Sequence, residues 1–170
     1  MGFKFDIAII GGLGHVGLPL GIVFASKGKN VLLMDINEDI SKSVMSGNMP
    51  FVEYGADELL QIALKKKLIS ASCRTSDISM AKNIIICIGT PIDEYLNPKT
   101  KGFLKVIADY AKYINHNQLV IIRSSVYPGT CTQVHRLLGE SIRLSYCPER
   151  IVQGYAIQEL AKLPQIVSGF

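Results

Sequence analysis

The chain has 170 residues, close to the ordinary size of one domain, and 48% of them are hydrophobic while 19% are charged. This composition, with no low-complexity tract, excludes a disordered or fibrous protein. The formal net charge of +4 is too small and too scattered to indicate a nucleic-acid-binding surface. A negatively charged ligand is compatible with it but is not required.

The cysteines and the apolar runs indicate the cellular compartment in which the protein functions. None of the cysteines forms the C-x-x-C pair of a zinc site, and no other metal site is predicted. The first ten residues lack the apolar stretch of a signal peptide, and no apolar run approaches the roughly 20 residues that cross a bilayer. We therefore expect a reduced, cytoplasmic protein that binds neither nucleic acid nor membrane. The cysteines are Cys73, Cys87, Cys131 and Cys147.

Short β-branched runs alternate with amphipathic stretches of helical length along the chain. This alternation predicts an α/β fold, a doubly wound parallel sheet of about six strands with helices on both faces. The strands are expected at residues 4–10, 31–34, 83–88, 119–123, 142–146 and 165–167. The helices are expected at 16–27, 37–47, 57–67, 103–114, 130–138 and 155–161. Because the chain ends directly after a strand, we expect it to be part of a longer protein.

A glycine loop follows the first predicted strand and opens the first predicted helix. It has the G-x-G-x-x-G spacing at Gly12, Gly14 and Gly17. We expect Gly12 to permit a tight turn, Gly14 to leave no Cβ between the backbone and a pyrophosphate, and Gly17 to let the helix approach the strand. The helix start would then face the phosphates of a dinucleotide, in a Rossmann-like domain.

An acidic residue stands where such a site holds the adenosine ribose. Asp35 ends the second predicted strand, 18 positions after Gly17. A 2′-phosphate about 4 Å from this carboxylate would be repelled by roughly 4 kcal/mol at an effective dielectric of 20, so NAD is preferred over NADP. Leu13, His15 and Val16 complete the predicted cofactor loop, and we expect His15 to line the pyrophosphate channel rather than act as a base.

Further segments make a family recognisable. The segments GLGHVGLP from Gly12, CIGTP from Cys87, SSVYPGT from Ser124 and CPER from Cys147 resemble the UDP-glucose/GDP-mannose dehydrogenase family. The match covers nearly the whole chain but only the family's N-terminal NAD-binding domain. The resemblance implies that residues 1–170 form this domain, and that a linker helix domain and a C-terminal sugar-nucleotide domain are absent from the chain.

The resemblance also implies an activity. Family members oxidise the C6 alcohol of a nucleotide sugar to a uronic acid, using two NAD and holding an aldehyde on a cysteine of the C-terminal domain. None of the four cysteines here corresponds to that nucleophile, so the chain alone is expected to bind NAD without turnover. The CPER segment is more similar to enzymes acting on UDP-N-acetylhexosamines than to UDP-glucose enzymes. The full-length protein is expected to be a homo-oligomer.

Cofactor-site residues carry over from the family position by position. Gly89, Thr90 and Pro91 match a loop that contacts the cofactor. Ser124 and Ser125 match a Ser-Thr pair beside the nicotinamide. Ser125 is a second catalytic candidate, because it keeps the hydroxyl that the family's threonine uses to hold water or a substrate oxygen, but it loses the methyl group that restricts the rotamer.

Two residues of the CPER region match family positions near the chemistry. Glu149 matches a glutamate that handles water and protons at the aldehyde and thioester stages, and it is the best catalytic candidate. This role requires it to lie within about 2.6–3.2 Å of the proton it moves, directly or through one water. Gln153 stands where the UDP-glucose branch has a second glutamate near the cofactor, so a charge is lost there.

Two alternative functions make different demands on the sequence. A short-chain reductase would need Tyr95 and Lys99 on one helical face, which Pro98 between them makes improbable. A non-enzymatic NAD sensor stays open, because it requires only the glycine loop and Asp35. It would have no use for Ser125 and Glu149 beside the nicotinamide.

Overall fold

The computed structural model describes residues 2–90, 94 and 100–169. Its strands are β1 (Phe5–Ile10), β2 (Val31–Met34), β3 (Ile69–Ser72), β4 (Ala81–Ile86), β5 (Leu119–Ile122), β6 (Arg143–Tyr146) and β7 (Ser168–Gly169). Its helices are α1 (Gly17–Ser26), α2 (Glu38–Met45), α3 (Ala56–Lys65), α4 (Thr100–Ala111), α5 (Thr130–Leu138) and α6 (Ala156–Glu159), with a 3₁₀ segment at Thr75–Met80.

All strands form one sheet in the order β3-β2-β1-β4-β5-β6-β7. The pairs from β3 to β6 are parallel, with Ile9 of β1 opposite Leu33 of β2 on one side and Ile85 of β4 on the other. The chain builds outward from β1 to β3 and then returns to β4 on the opposite side of β1. This reversal opens a crevice at the carboxyl ends of β1 and β4, where open α/β sheets bind their ligands.

The core lies in two layers, one on each face of the sheet. Successive side chains of β1 point to opposite faces, so Ile9 packs in one layer and Ile10 in the other. The layer under α1 and α3 contains Leu18, Ile22, Leu33 and Leu60. The layer under α4 and α5 contains Met34, Ile86, Ile107 and Val134. Burial on both faces explains why the central strands are continuous apolar runs.

The doubly wound α/β fold is confirmed, but the described residues contain seven strands rather than six. The strand that was not predicted is β3, with the sequence ISAS, in which only Ile69 is buried. Such a short edge strand with small side chains gives little apolar signal. The last strand lies at Ser168–Gly169 instead of 165–167 and pairs antiparallel with β6. Serine and glycine carry no strand preference, so its position could not be read from composition.

The helices are short for the distance across a bilayer. The longest of those described, α4, has 12 residues, against the roughly 20 that a spanning helix needs. Within residues 2–90, 94 and 100–169, no helix is long and apolar enough to cross a membrane.

Candidate cofactor crevice

The glycines after β1 have separate steric roles. Gly12 lies in a turn at residues 11–13, as expected, and Gly11 is the residue of this turn that has a positive φ, of 76°. A Cβ at Gly12 would lie 2.7 Å from the Ile9 carbonyl oxygen and 2.8 Å from the Leu33 Cα, so Gly12 also allows the loop to approach β2. A Cβ at Gly17 would lie 2.2 Å from the Gly11 carbonyl oxygen. Helix α1 can therefore start against the loop only because residue 17 is glycine.

Gly14 differs because the protein itself leaves room for a side chain there. A Cβ at this position would meet only the Gly11 carbonyl oxygen, at an ordinary 3.6 Å. Helix α1 begins after Val16 with no side-chain cap and no acidic residue in its first turn. In this first turn the Leu18 amide donates to the Gly14 carbonyl oxygen at 3.0 Å and Pro19 has no N–H, so the helix start offers an anion its dipole and the Gly17 amide.

Asp35 follows β2 at the same edge of the sheet and is tied to the glycine loop. Its Oδ2 accepts a hydrogen bond from the Leu13 amide at 3.1 Å, and its Oδ1 accepts from the amides of Ile36 at 2.8 Å and Asn37 at 3.3 Å. An ionised carboxylate offers about four acceptor positions, so capacity remains for a ribose hydroxyl. The Leu13 side chain is buried in the core, and this residue serves the loop through its backbone.

The crevice has two lobes that share Gly14, Cys87, Ile88 and Gly89. The first, of about 380 Å³, we call the Asp35 lobe; its other walls are Ile10, Gly11, Ile36, Val106 and Tyr110. The second, of about 370 Å³, we call the Glu149 lobe; its other walls are His15, Val16, Thr90, Arg123, Ser124, Ser125, Ile151 and Gln153. An extended ligand can pass from one lobe to the other over Gly14 and Gly89.

Helix α4 supplies an unexpected wall of the Asp35 lobe. Val106 and Tyr110 lie one turn apart on this helix, and in the sequence this spacing indicates only a stripe that faces the core. Burial, and then the Asp35 carboxylate, raise the pKa of Tyr110, so its hydroxyl is neutral at physiological pH. These residues give the lobe the largely apolar surface that an adenine ring needs.

The Glu149 lobe contains a buried ion pair. Arg123 Nη2 contacts Glu149 Oε2, and the two side chains are only 7% and 8% exposed. Glu149 Oε1 accepts hydrogen bonds from the amides of Arg150 at 2.7 Å and Ile151 at 3.2 Å. The catalytic candidate is therefore held by its neighbours. Arg123 lies just beyond β5 and not within the strand expected at 119–123, and a cation directly after a buried apolar run is the sequence signal that indicates a role for it.

The other residues predicted around the nicotinamide divide into two groups. Ser124 donates from Oγ to the Ile88 carbonyl oxygen at 2.7 Å, which joins the end of β5 to the end of β4. Ser125, Thr90 and Gln153 line the same lobe. Pro91 lies outside the described residues, as do Tyr95, Pro98 and Lys99.

The connection between α2 and α3 reaches the rim of the Glu149 lobe. The Phe51 ring lies 4.0 Å from the His15 ring, centroid to centroid. Glu53 is 3% exposed and accepts hydrogen bonds from the amides of Gly154 at 3.0 Å and Ile157 at 3.2 Å. His15 thus lines the Glu149 lobe with its ring packed by Phe51, and its place beside a pyrophosphate stays a prediction. Phe51 and Glu53 were not predicted.

Cys87, the cysteine that lines both lobes, does not have the character of a nucleophile. Desolvation raises the pKa of Cys87 to about 12, and the nearby Arg123 lowers it by less, so this thiol is protonated at neutral pH. Cys147 is buried, and its Sγ accepts a hydrogen bond from Arg123 Nη1 at 2.9 Å. In the part of the chain that the structure describes, no cluster of side chains could hold a metal ion.

The sheet order, the glycine loop at its switch point and the carboxylate after β2 define a Rossmann-type dinucleotide-binding domain. The model of the UDP-glucose/GDP-mannose dehydrogenase family, NAD binding domain, matches residues 5–170. The chain belongs to this family, and NAD is its cofactor.

Named relatives agree with this assignment. The chain is 31% identical to the UDP-N-acetyl-D-mannosamine dehydrogenase of Pyrococcus horikoshii, over 96% of this chain and 40% of that protein. It is 31% identical to Protein CapL of Staphylococcus aureus, over 96% of this chain and 39% of that protein. The solved UDP-D-ManNAc dehydrogenase of Pyrococcus horikoshii superposes with a TM-score of 0.88 at 30% identity, covering 96% of this chain and 40% of that one. The chain thus spans about 40% of the length of these relatives.

Proposed function

We propose that this chain is the NAD-binding part of a UDP-sugar 6-dehydrogenase, which oxidises the C6 alcohol of a UDP-N-acetylhexosamine to a uronic acid with two NAD. One observation carries the proposal: Asp35 and the Arg123–Glu149 pair lie in the two lobes of one crevice, which join over Gly14 and Gly89. The names of the relatives support the substrate class. A linker helix domain and a C-terminal sugar-nucleotide domain would complete the enzyme.

The residues of the crevice fit NAD from the adenosine end. Asp35 would accept hydrogen bonds from the ribose hydroxyls, while the bare Gly14 backbone and the uncapped start of α1 would hold the pyrophosphate. Val106 and Tyr110 would pack against the adenine. When bound, NAD supplies the acceptor for the hydride that leaves C6.

The Glu149 lobe would orient the sugar and its water. The Ser125 hydroxyl can donate to and accept from a substrate oxygen or a water. Glu149, with its carboxylate held in the wall, would accept a hydrogen bond from a water that hydrates the aldehyde or attacks the thioester. Thr90 and Ser124 would shape the nicotinamide site. The neutral Gln153 would leave this end of the lobe with one negative charge fewer than in the UDP-glucose branch, which has a glutamate there.

The enzyme hypothesis is favoured over the NAD sensor. A sensor would gain nothing from a buried Arg123–Glu149 pair beside the nicotinamide, and the named relatives include dehydrogenases. We also expect the enzyme to be cytoplasmic, where its free cysteines stay reduced, and to assemble as a homo-oligomer.

NADH formation tests the proposal. A polypeptide that carries this chain together with the sugar-nucleotide domain would be assayed with UDP-N-acetylmannosamine, UDP-N-acetylglucosamine, UDP-glucose and GDP-mannose. We expect two NADH per UDP-N-acetylhexosamine, and NAD binding without turnover by residues 1–170 alone. Absence of NADH with all four sugars would contradict the dehydrogenase assignment, and preference for UDP-glucose would contradict the acetamido branch.

A further inference from the structure

We propose that Arg123 is a positioning residue, which holds the Glu149 carboxylate at a defined place in the wall of the Glu149 lobe. Its effect on catalysis rests on the function proposed above, whereas its effect on the position of the carboxylate does not. Three features of the structure carry the proposal: the backbone link between the two residues, the hydrogen bonds of the carboxylate and the anchoring of the guanidinium.

The backbone brings the two residues together. Arg123 directly follows β5, and Glu149 comes shortly after β6, the parallel neighbour of β5. The Glu149 amide donates a hydrogen bond to the Arg123 carbonyl oxygen at 3.0 Å, which continues the pairing beyond the strands. The two side chains therefore start from fixed neighbouring positions at the carboxyl edge of the sheet.

Both oxygens of the Glu149 carboxylate have partners, which are backbone amides for one oxygen and a guanidinium for the other. Oε1 is held by the amides of Arg150 and Ile151 in the turn that follows Glu149 itself. Oε2 has only the Arg123 guanidinium and no other hydrogen-bond partner among the described residues. Without Arg123, a buried carboxylate oxygen would lose its compensation, and the group would turn toward water in the open lobe. Such a turn would also release the two amides.

The guanidinium contacts Glu149 through Nη2 and is anchored to other residues through Nη1. Arg123 Nη1 donates to Gln165 Oε1 at 2.7 Å, to Cys147 Sγ at 2.9 Å and to the Cys147 carbonyl oxygen at 3.3 Å. A second cavity of about 300 Å³, which Arg123 also lines, has walls of apolar side chains that include Leu20 and Ile121. The planar fork of arginine can serve both sets of partners at once, which the single ammonium of lysine cannot.

Amide hydrogen exchange in residues 1–170 without NAD tests the position of the carboxylate directly. In an Arg123→Met variant, the Arg150 and Ile151 amides should exchange about tenfold faster, because each loses a hydrogen bond to a charged acceptor. An Arg143→Met variant is the matched control, since it removes the same charge from the exposed start of β6. It should leave both amides unchanged.

Two results would overturn the proposal: unchanged exchange at Arg150 and Ile151, or equal acceleration at amides throughout the sheet, which would indicate a general loss of stability. If Arg123→Met does not fold, Arg123→Lys decides the question. This variant keeps the charge but not the fork, so it should still accelerate the same two amides and no others. Exchange at the wild-type rate in Arg123→Lys would then count against a positioning role.

Kinetics of the longer polypeptide separate this proposal from the dehydrogenase assignment. We expect Arg123→Lys to lower kcat while KM for NAD stays the same, and the Arg123→Lys, Glu149→Gln double variant to be no slower than Glu149→Gln alone. Additive losses would contradict the proposal. A wild-type protein that forms no NADH would contradict the proposed function, and the amide exchange would still decide the role of Arg123.

Discussion

Gly14 and Gly17 lie three residues apart in one loop, yet a side chain would meet very different surroundings at the two positions. At Gly17 it would collide with the Gly11 carbonyl oxygen at 2.2 Å, whereas at Gly14 it would find an ordinary contact of 3.6 Å. The protein itself therefore requires Gly17, while Gly14 leaves space that a ligand can use.

Replacing each glycine by alanine should separate these requirements. We expect Gly14→Ala to keep the wild-type melting temperature but to weaken NAD binding by at least about tenfold, because the methyl group would enter the pyrophosphate path. Gly17→Ala should cost about 1–3 kcal/mol of unfolding free energy through overpacking. Calorimetry and urea unfolding would measure the two effects. Wild-type NAD affinity in Gly14→Ala would contradict the predicted path.

Asp35 should determine the choice between NADH and NADPH. In Asp35→Asn, the repulsion of a 2′-phosphate disappears while an amide oxygen remains to hold the loop, so NADPH should gain at least about tenfold in affinity relative to NADH. Asp6→Asn is the matched control, because Asp6 accepts the Asn30 amide at 2.8 Å before β2 begins. Equal binding of NADPH and NADH by the wild type, measured by calorimetry, would contradict the assignment of Asp35 to the ribose site.

At the scale of elements, the connection between α2 and α3 joins two parts of the chain that the sheet does not. Glu53 accepts amide hydrogen bonds from the segment that leads into α6, more than 100 positions later in sequence. The Tyr54 amide donates to the Gly154 carbonyl oxygen at 2.9 Å, and the Tyr54 and Tyr155 rings lie 5.2 Å apart. This connection therefore holds the segment that carries Gln153 at the rim of the Glu149 lobe.

Removal of the Glu53 carboxylate should loosen that segment. Glu53→Ala would leave the partly buried amides of Gly154 and Ile157 without an acceptor, at a cost of about 1–3 kcal/mol in unfolding free energy. Glu58→Ala, on the exposed face of α3, should change stability by less than about 0.5 kcal/mol. Urea unfolding would compare the two variants. Equal stability of both would mean that the Glu53 contacts contribute nothing.

For the whole molecule, the desolvated thiol of Cys87, directly after β4, makes stability depend on pH. The pKa of Cys87 is raised to about 12 in the folded protein from an ordinary 9.0. Because the unfolded chain loses this proton first, the contribution of the thiol is complete below pH 9 and is lost as the pH rises toward 12. The unfolding free energy should therefore fall more steeply over this range in the wild type than in Cys87→Ala. Parallel pH profiles would show that Cys87 is not desolvated.

Much of the fold could be predicted because its signals are local. The apolar runs of β1, β2, β4 and β5 and the periodicity of α1 each lie within a few consecutive residues, where burial imposes a regular pattern. The strand β3 escaped because a half-exposed edge imposes almost no pattern on ISAS. The antiparallel β7 was expected three residues too early, at 165–167, because serine and glycine give no apolar signal for the strand at Ser168–Gly169.

The sequence by itself determined the glycine loop, the carboxylate of Asp35 and the family segments that end in CPER, since each is a contiguous pattern with a local physical reason. Only the tertiary structure decided that Arg123 would hold Glu149, that Phe51 would cover His15 and that Glu53 would hold Gly154. The partners in these contacts lie far apart in sequence, and strand register and helix packing, rather than local periodicity, bring them together.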